Sequence, residues 1–408
     1  MIRETAAQPA SSRLALPIQT RLLLTLFEKI ETGNLELRFA NGLIQRIKRD
    51  PAPTAQLRIL RPAAMVARSL LRGPVGFAES YLAGDWDSPD LASLLRLLAQ
   101  NQKAISRIAD SAPGLWLDRV RHRLRANNRS GSRRNIRAHY DLSNDFYRLW
   151  LDPSMTYSSA LFENPLTSSP YQLQSAQERK YRRMLELTGA RPGEHILEIG
   201  CGWGGFACSA AEQGIRVTGI TLSEAQLEFA GRRIRQAGIG DRVTLKLQDY
   251  RDVREQYDHI ISIEMLEAVG EDYWPVYFET LRRSLRPGGR AALQVIVIDA
   301  AREERYRRQP DFIQVHIFPG GMLPSRQRLQ ALAREAGLEW LSDDAIGSHY
   351  ARTCALWDQR VDQAEDAIRQ LGFDDAFLRR WHYYLNYCQA GFELGMIDVL
   401  QLGLRRPE

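Results

Sequence analysis

The sequence predicts an α/β fold with a mainly parallel sheet in the larger, C-terminal part of the chain. From residue 135 onward, short apolar segments alternate with segments of helical periodicity. This alternation is typical of parallel strands that are joined by crossover helices. A glycine-rich run at 200–205 follows one apolar segment and begins a helical one, which is the order of a nucleotide-binding βαβ unit.

Strands and helices are predicted throughout this part. The strands are expected at His195–Ile199, Arg216–Ile220, Val243–Leu247, His259–Ile263 and Arg290–Ile296. The helices are expected at Gly205–Gln213, Glu224–Ala237 and Tyr273–Leu285, and an aromatic-rich helix at Asp374–Leu394. Nearer the N-terminus, Leu35–Phe39 and Leu57–Leu60 predict strands, and Val75–Ala83 and Leu91–Leu98 predict helical turns.

The length of 408 residues exceeds that of one ordinary domain, so we expect more than one. The predicted parts are a small α+β domain at 1–115, a basic linker at 116–134 and the main domain at 135–408. No segment reaches the ~20 apolar residues that cross a bilayer, and the first residues lack the apolar core of a signal peptide. We therefore expect a cytoplasmic protein. Four cysteines without C-x-x-C spacing indicate neither a zinc site nor a disulfide, and no metal is expected.

The linker region is rich in arginine. Its arginines are Arg119, Arg121, Arg123, Arg125, Arg129, Arg133, Arg134 and Arg137, with no acidic residue between Asp118 and Asp141. Together with the net charge of +6, this run favours an anionic partner. Aromatic residues are sparse here, which argues against nucleic acid. A solvated linker and a surface for lipid phosphates remain the two interpretations.

The residues around the glycine run favour S-adenosylmethionine (SAM) over a dinucleotide. Gly200, Gly202 and Gly205 fit the dinucleotide pattern as well, but the acid that would hold the ribose about 20 residues later is missing. Glu198, just before the run, suits a cationic nucleoside that carries an amino acid. The third strand ends in 248–250, where Asp249 and Tyr250 place a polar group beside a ring, as adenine requires.

Several segments resemble the cyclopropane-fatty-acyl-phospholipid synthases and their mycolic-acid relatives. The matching motifs are His139–Tyr147, Met155–Ser158, Gly200–Gly205, Gly219–Ser223 with Gln226, Gln248–Asp252, Glu267–Gly270, Ile317–Gly321 and Tyr383–Cys388. The resemblance covers most of 135–400, and 79–95 resembles the small N-terminal domain of longer bacterial members. It implies a class I SAM-methyltransferase fold with a Rossmann-like sheet, a smaller N-terminal domain and extra C-terminal helices.

By this resemblance, the cofactor residues are Tyr157, Ser158, Glu198, Gly200, Gly202, Thr221, Gln226, Asp249 and Tyr250. The implied substrate is a cis-unsaturated acyl chain of a membrane phospholipid, reached from the inner membrane surface by peripheral contact. Methyl transfer to the alkene would leave a carbocation. Its deprotonation would yield a cyclopropane or a branched olefin. The sequence leaves a homodimer and a partner oxidoreductase open.

In the family the base is a bicarbonate held by Cys, Glu, His, Ile and Tyr. The matching positions are Ser159, Glu267, Gln294, Ile296 and Tyr350. All of these except Ile296, together with Cys388, are the candidate catalytic residues. Serine and glutamine donate hydrogen bonds but do not carry the positive charge that His can carry, so bicarbonate binding is expected to weaken. Cyclopropane and methyl- or methylene-branched products therefore both stay open. Packing within an aromatic helix is the alternative role for Cys388.

Two other functions compete with this interpretation. One is methyl transfer to another lipid, a small molecule or a nucleic acid. Residues 262–265 lack the Asn-Pro-Pro-aromatic run that many base N-methylating enzymes use, which counts against nucleic acid. The other is a SAM- or lipid-binding module without catalysis, which the departures at Ser159 and Gln294 favour. Retention of Glu267, Tyr350 and the whole glycine run argues for an enzyme. No role is assigned to Glu264 from the sequence.

The basic linker generates a test of membrane contact. Reversing the charges of Arg129, Arg133 and Arg134 to glutamate should weaken binding to anionic vesicles, because each arginine near the surface contributes up to about 1 kcal/mol there. Vesicle co-sedimentation at low and high salt measures this. Unchanged binding to anionic vesicles would rule the linker out as the docking surface.

Overall fold

The structure is a computed structural model that describes residues 16–50, 54–104 and 142–408. The predicted linker and the arginines at 119–137 lie outside the described residues, as do His139 and Tyr140. The chain divides into two compact units, one of 1–118 with 375–390 and the other of 119–374 with 391–408. The limits of the three predicted parts remain a prediction.

The first unit is an α+β unit with a four-stranded sheet. Its elements are α1 (Ile18–Phe27), β1 (Asn34–Phe39), β2 (Ile44–Ile47), β3 (Thr54–Ile59), α2 (Pro62–Leu82), β4 (Trp86–Asp87) and α3 (Leu91–Gln100). The strand order is β2-β1-β3-β4, and only the β1–β3 pair is parallel. Leu35, Leu37, Leu57 and Ile59 are buried at alternate positions because successive strand residues face opposite sides of a sheet.

Part of a C-terminal helix belongs to the first unit. Helix α14 spans Asp375–Glu393, and its segment 375–390 groups with this unit. Arg379 provides contacts within this unit: its guanidinium lies 3.9 Å from the Tyr81 ring centroid and donates to the carbonyl oxygens of Tyr81 and Trp86. No periodicity in the sequence indicates such a long-range pairing.

The second unit consists of a seven-stranded sheet with helices around it. Its strands are β5 (His195–Ile199), β6 (Arg216–Thr221), β7 (Val243–Leu247), β8 (Tyr257–Ile263), β9 (Leu285–Ile298), β10 (Glu339–Ala345) and β11 (Ile397–Arg405). Its helices are α4 (Asn144–Trp150), α5 (Leu173–Thr188), α6 (Gly205–Glu212), α7 (Glu224–Gln236), α8 (Trp274–Ser284), α9 (Ala300–Arg308), α10 (Phe312–His316), α11 (Arg326–Glu335), α12 (Gly347–Gln363) and α13 (Glu365–Gln370).

The strand order, β10-β11-β9-β8-β5-β6-β7, confirms the predicted α/β class. Strands β9, β8, β5, β6 and β7 run parallel, and β11 runs antiparallel to both β9 and β10. The prediction did not include the β10–β11 pair or the helices α5 and α12. Helix α5 was missed because its many charged residues obscure the few apolar positions that it buries.

The sheet order fixes where a ligand can bind. Strand β5 lies between β6 and β8, so the chain leaves it in one direction and later returns on its other side. A crevice opens at the carboxyl ends of parallel strands wherever the strand order reverses in this way. The glycine run after β5 and residue 264 after β8 both lie at this edge. Among the described residues, no helix is both long and apolar enough to cross a membrane.

Helix α8 offers a test of the core beneath this crevice. Leu281 is fully buried in the core cluster, whereas Val276 on the same helix is exposed. Leu281→Ala should lower the free energy of unfolding by about 2–5 kcal/mol because it leaves a cavity. Val276→Ala is the matched control and should change the free energy by less than about 0.5 kcal/mol. Equal melting temperatures of the two variants would contradict this assignment of the core.

Candidate active site

A cavity of about 1160 Å³, including its open mouth, lies at the carboxyl edge of the sheet. All nine predicted cofactor residues line it. They are Tyr157, Ser158, Glu198, Gly200, Gly202, Thr221, Gln226, Asp249 and Tyr250. The structure therefore brings together residues from four separate segments, three of which lie at or just after the end of a strand, whereas Tyr157 and Ser158 lie in the loop before α5.

The glycine run lets the backbone form the floor of this cavity. Gly200 has a φ of +87°, which residues with a Cβ atom rarely adopt. Gly205 begins α6, and a Cβ atom there would lie only 2.6 Å from the Tyr181 hydroxyl oxygen. Both positions need glycine, one for conformation and one for space, as the sequence predicted for a site that a ligand approaches closely.

Polar side chains from the ends of β6 and β7 form a second wall. The Thr221 hydroxyl donates to Oε1 of Gln226 over 3.1 Å, so these two predicted ribose residues hold one another in place. Asp249 accepts from Nε and Nη2 of Arg251 over 2.9 and 2.7 Å, and Arg251 also lines the cavity. Tyr250 packs edge-to-face on Tyr277. Arg251 was not predicted as a site residue.

Glu198 places an unsatisfied carboxyl group at the cavity. It is 5% exposed, and its Oε2 atom has no hydrogen-bond partner among the described residues. Burial raises the pKa of Glu198 to about 8, an effect that Lys180 partly opposes. A buried carboxyl group without a partner is costly unless a ligand satisfies it. A cationic ligand would do so.

Lys180 is a buried cation whose place in the site the sequence does not indicate. Its side chain is fully buried on α5, and its Nζ donates to the Ser158 hydroxyl over 2.6 Å. Burial lowers the pKa of Lys180, while the carboxylates of Glu264, Asp152 and Glu198 act in the opposite direction. Lysines are rarely buried without such partners. In the sequence this lysine stands in a charged helix and looks like a surface residue.

Glu264, which received no role from the sequence, accepts three hydrogen bonds beside the cavity. Oε1 accepts from the Ser159 backbone N–H over 2.8 Å and from the Gln294 Nε2 over 2.7 Å. Oε2 accepts from the Tyr350 hydroxyl over 2.8 Å. Glu264 itself lines the cavity. Three of the predicted catalytic residues thus converge on one carboxylate of the protein.

The Ser159 side chain takes no part in this convergence. Its hydroxyl donates to the Ala160 carbonyl oxygen over 3.1 Å, and only its backbone N–H faces Glu264. Gln294 is fixed from the other side, because its Oε1 accepts from Nε2 of Gln401 over 2.9 Å. The amide of Gln294 is therefore oriented with its NH₂ group toward Glu264.

Glu267 and Ile296, two of the residues predicted to hold bicarbonate, bind each other. Oε1 of Glu267 accepts from the Ile296 backbone N–H, and its Oε2 has no hydrogen-bond partner among the described residues. Burial raises the pKa of Glu267 to about 8, and the negative charge of Glu264 adds to this effect. At neutral pH the Glu267 side chain is therefore mainly protonated and uncharged.

Aromatic rings surround Tyr157, which lines the cavity. The Tyr157 ring centroid lies 5.4 Å from those of Trp150 and Trp357. The Tyr350 ring contacts Trp357 at 5.9 Å and stacks on Phe392 at 4.6 Å. Aromatic faces stabilise a nearby cation. Cys388 is half-buried on segment 375–390, which belongs to the first unit, and its catalytic role remains a prediction.

These residues fit SAM. The unsatisfied Glu198 suits the cationic methionyl end, Thr221 and Gln226 suit the ribose, and Asp249, Tyr250 and Arg251 lie where the adenine is expected. When bound, SAM supplies an electrophilic methyl group. The protein would supply the glycine floor that admits it and the buried carboxyl group that would pair with its charge.

Glu198 makes SAM binding depend on pH. Without ligand its pKa is about 8, so the side chain is mainly neutral at pH 7. A bound cation favours the ionised form and lowers this pKa, so the affinity should rise by up to about tenfold per pH unit until pH 8 and then level off. Calorimetry in buffers of different ionisation enthalpy should also show proton release. Glu198→Gln should remove both effects, and an unchanged pH dependence in this variant would contradict the assignment.

Comparisons with known proteins identify the family of this chain. The mycolic acid cyclopropane synthetase family matches residues 127–402. A tuberculostearic acid methyltransferase of Mycobacterium tuberculosis is 40% identical over 381 residues, covering 91% of this chain and 88% of that protein. The cyclopropane-fatty-acyl-phospholipid synthase of Escherichia coli K12 is 32% identical, covering 90% and 93%.

A solved structure extends the similarity to three dimensions. The mycolic acid cyclopropane synthase CmaA1, in complex with SAH and CTAB, has a TM-score of 0.62 and 32% identity, covering 67% of this chain and 98% of that one. This match confirms the predicted class I methyltransferase fold, and the predicted cofactor is confirmed with it. The chain therefore belongs to the mycolic acid cyclopropane synthetase family and is a SAM-dependent methyltransferase.

Proposed function

We propose that the enzyme methylates the cis double bond of an unsaturated fatty acyl chain in a membrane phospholipid and yields a methyl- or methylene-branched chain. The observation that carries this proposal is that the carboxylate of Glu264 lines the same cavity as the predicted cofactor residues, among them the aromatic Tyr157. An alkene is a weak nucleophile, and its methylation needs no base to begin. Methyl transfer leaves a carbocation, which a carboxylate and aromatic rings stabilise. Such a cavity suits carbon methylation.

The similarity to relatives supports the branched product over the cyclopropane. The chain is 40% identical to a tuberculostearic acid methyltransferase and 32% identical to a cyclopropane-fatty-acyl-phospholipid synthase, over similar lengths. Gln294 also stands where the synthases carry a histidine, so this position lacks a group that can take up positive charge. A cyclopropane is the second candidate, because the same cation gives either product.

Partners and location follow from this substrate. A lipid substrate requires peripheral contact with the membrane, and we place the enzyme at the cytoplasmic surface. Reduction of a methylene branch to a methyl branch needs a hydride and a proton, which a separate oxidoreductase would supply. We also propose a homodimer, which sedimentation analysis at several concentrations would test.

The decisive assay combines the purified enzyme with methyl-labelled SAM and vesicles that contain cis-monounsaturated phospholipid. The expected result is a fatty ester that is heavier by one methylene unit and carries the label. Fully saturated phospholipid is the control and should acquire none, because it offers no π electrons to the methyl group.

Mild hydrogenation then separates the two products. A branched olefin takes up hydrogen, whereas a cyclopropane resists these conditions. The absence of any labelled fatty ester would refute the lipid substrate. A labelled ester that resists hydrogenation would establish the cyclopropane instead.

A further inference from the structure

We propose that the carboxylate of Glu264 is the catalytic base of this enzyme and occupies the place where the resemblance implies a bound bicarbonate. This inference rests on the proposed function, because it concerns the cation that alkene methylation leaves. It assigns a role to a residue that the family pattern does not include.

The hydrogen-bond donors that bicarbonate would need are already used by carboxylates of the protein. A carbonate-like anion would need the donors at Ser159, Gln294 and Tyr350. These donors already point at the two oxygen atoms of Glu264, at distances of 2.7 to 2.8 Å. The donor at Ile296 is used by Glu267. A free anion placed here would have to displace one carboxylate and then lie beside both.

The backbone supports the same conclusion. Glu264 has a φ of +50°, a left-handed conformation that costs a residue with a Cβ atom about 1–2 kcal/mol. Its N–H donates to the Gln294 carbonyl oxygen over 2.8 Å, which continues the β8–β9 pairing by one residue and fixes this conformation. Glycine would be the unstrained choice here. Strain of this kind is typical of functional sites, and here it aims the side chain into the donor cluster.

The surroundings also keep Glu264 available as a base. Three donated hydrogen bonds are the pattern of an ionised carboxylate, which only accepts. Burial raises the pKa of Glu264, while Lys180 opposes this rise more than any of the three donors. Burial raises the pKa of the neighbouring Glu267 to about 8, and the charge of Glu264 adds to this rise, since like charges so close together do not both ionise readily. A buried carboxylate with a raised pKa is a stronger base than one in water.

The step balances without another reagent. Methyl transfer breaks the sulfur–methyl bond, forms a carbon–carbon bond from the alkene π pair and leaves a carbocation. Glu264 then takes a proton from the substrate, and the electron pair of the broken C–H bond forms the π bond of an olefin or the last bond of a ring. For a methylene branch, a 1,2-hydride shift within the chain first moves the cation to the methyl-bearing carbon, and the proton then leaves from the new methyl group. Glu264 becomes a neutral carboxylic acid and returns its proton to solvent after product release.

Two variants of Glu264 test this role. Glu264→Gln keeps the shape but not the base and should lower turnover on unsaturated phospholipid at least about a hundredfold. Glu264→Gly should lose as much activity but relieve the backbone strain and empty the donor cluster. Millimolar bicarbonate or formate should restore its turnover at least tenfold. The wild-type enzyme should keep its activity in buffer purged of carbon dioxide, and Glu228→Gln, on the exposed face of α7, should behave like it.

Two results would contradict this role of Glu264. A wild-type enzyme that loses activity without bicarbonate would overturn the proposal, and so would a Glu264→Gln variant with unimpaired turnover. Melting temperature gives a readout that is independent of catalysis, since an anion that binds only the native state raises it. Bicarbonate should stabilise Glu264→Gly and leave the wild type unchanged. If no lipid product forms at all, the proposed function is wrong. The position of Glu264 is tested separately: if bicarbonate raised the melting temperatures of the wild type and of Glu264→Gly equally, Glu264 would not occupy the anion site.

Discussion

The carboxylate of Glu264 lies half-buried in the cavity wall, and a charge withdrawn from water in this way persists only where donors and opposite charge compensate it. Ser159, Gln294 and Tyr350 supply the donors, and Lys180 supplies the charge. These residues come from the loop before α5, from β9, from α12 and from α5. The arrangement of strands and helices around β8 therefore serves to bring four distant segments to one side chain.

Lys180 also links this carboxylate to the cofactor. The same ammonium group binds Ser158 and interacts with Glu198, and both of these residues line the cofactor cavity. The positive charge of a bound sulfonium compound next to Glu198 would therefore alter the electrostatic interactions of Lys180 with the carboxyl groups of Glu198, Glu264 and Asp152. We therefore expect cofactor binding to shift the protonation of this cluster.

The sequence indicates Glu198, the glycine run and residues 249–250 because they lie at or just after the ends of predicted strands, and such positions are recognisable from local periodicity. Tyr157, Ser158, Thr221 and Gln226 were assigned by the family resemblance, and all of these residues line one cavity. The limits of β5 and β7 agree with the prediction residue for residue. The sequence predicts the base poorly. Glu264 looks like any acid after a strand, and Lys180 looks like a surface lysine in a charged helix. Their roles depend on contacts with residues 22 to 105 positions away, which no local pattern encodes.

The most direct measurement is a crystal structure of the enzyme with SAH, grown or soaked in bicarbonate. We predict that the Glu264 carboxylate accepts hydrogen bonds from the Ser159 N–H, the Gln294 amide and the Tyr350 hydroxyl, with no separate anion among these donors. A planar anion on the same three donors, with the Glu264 side chain turned away, would contradict it.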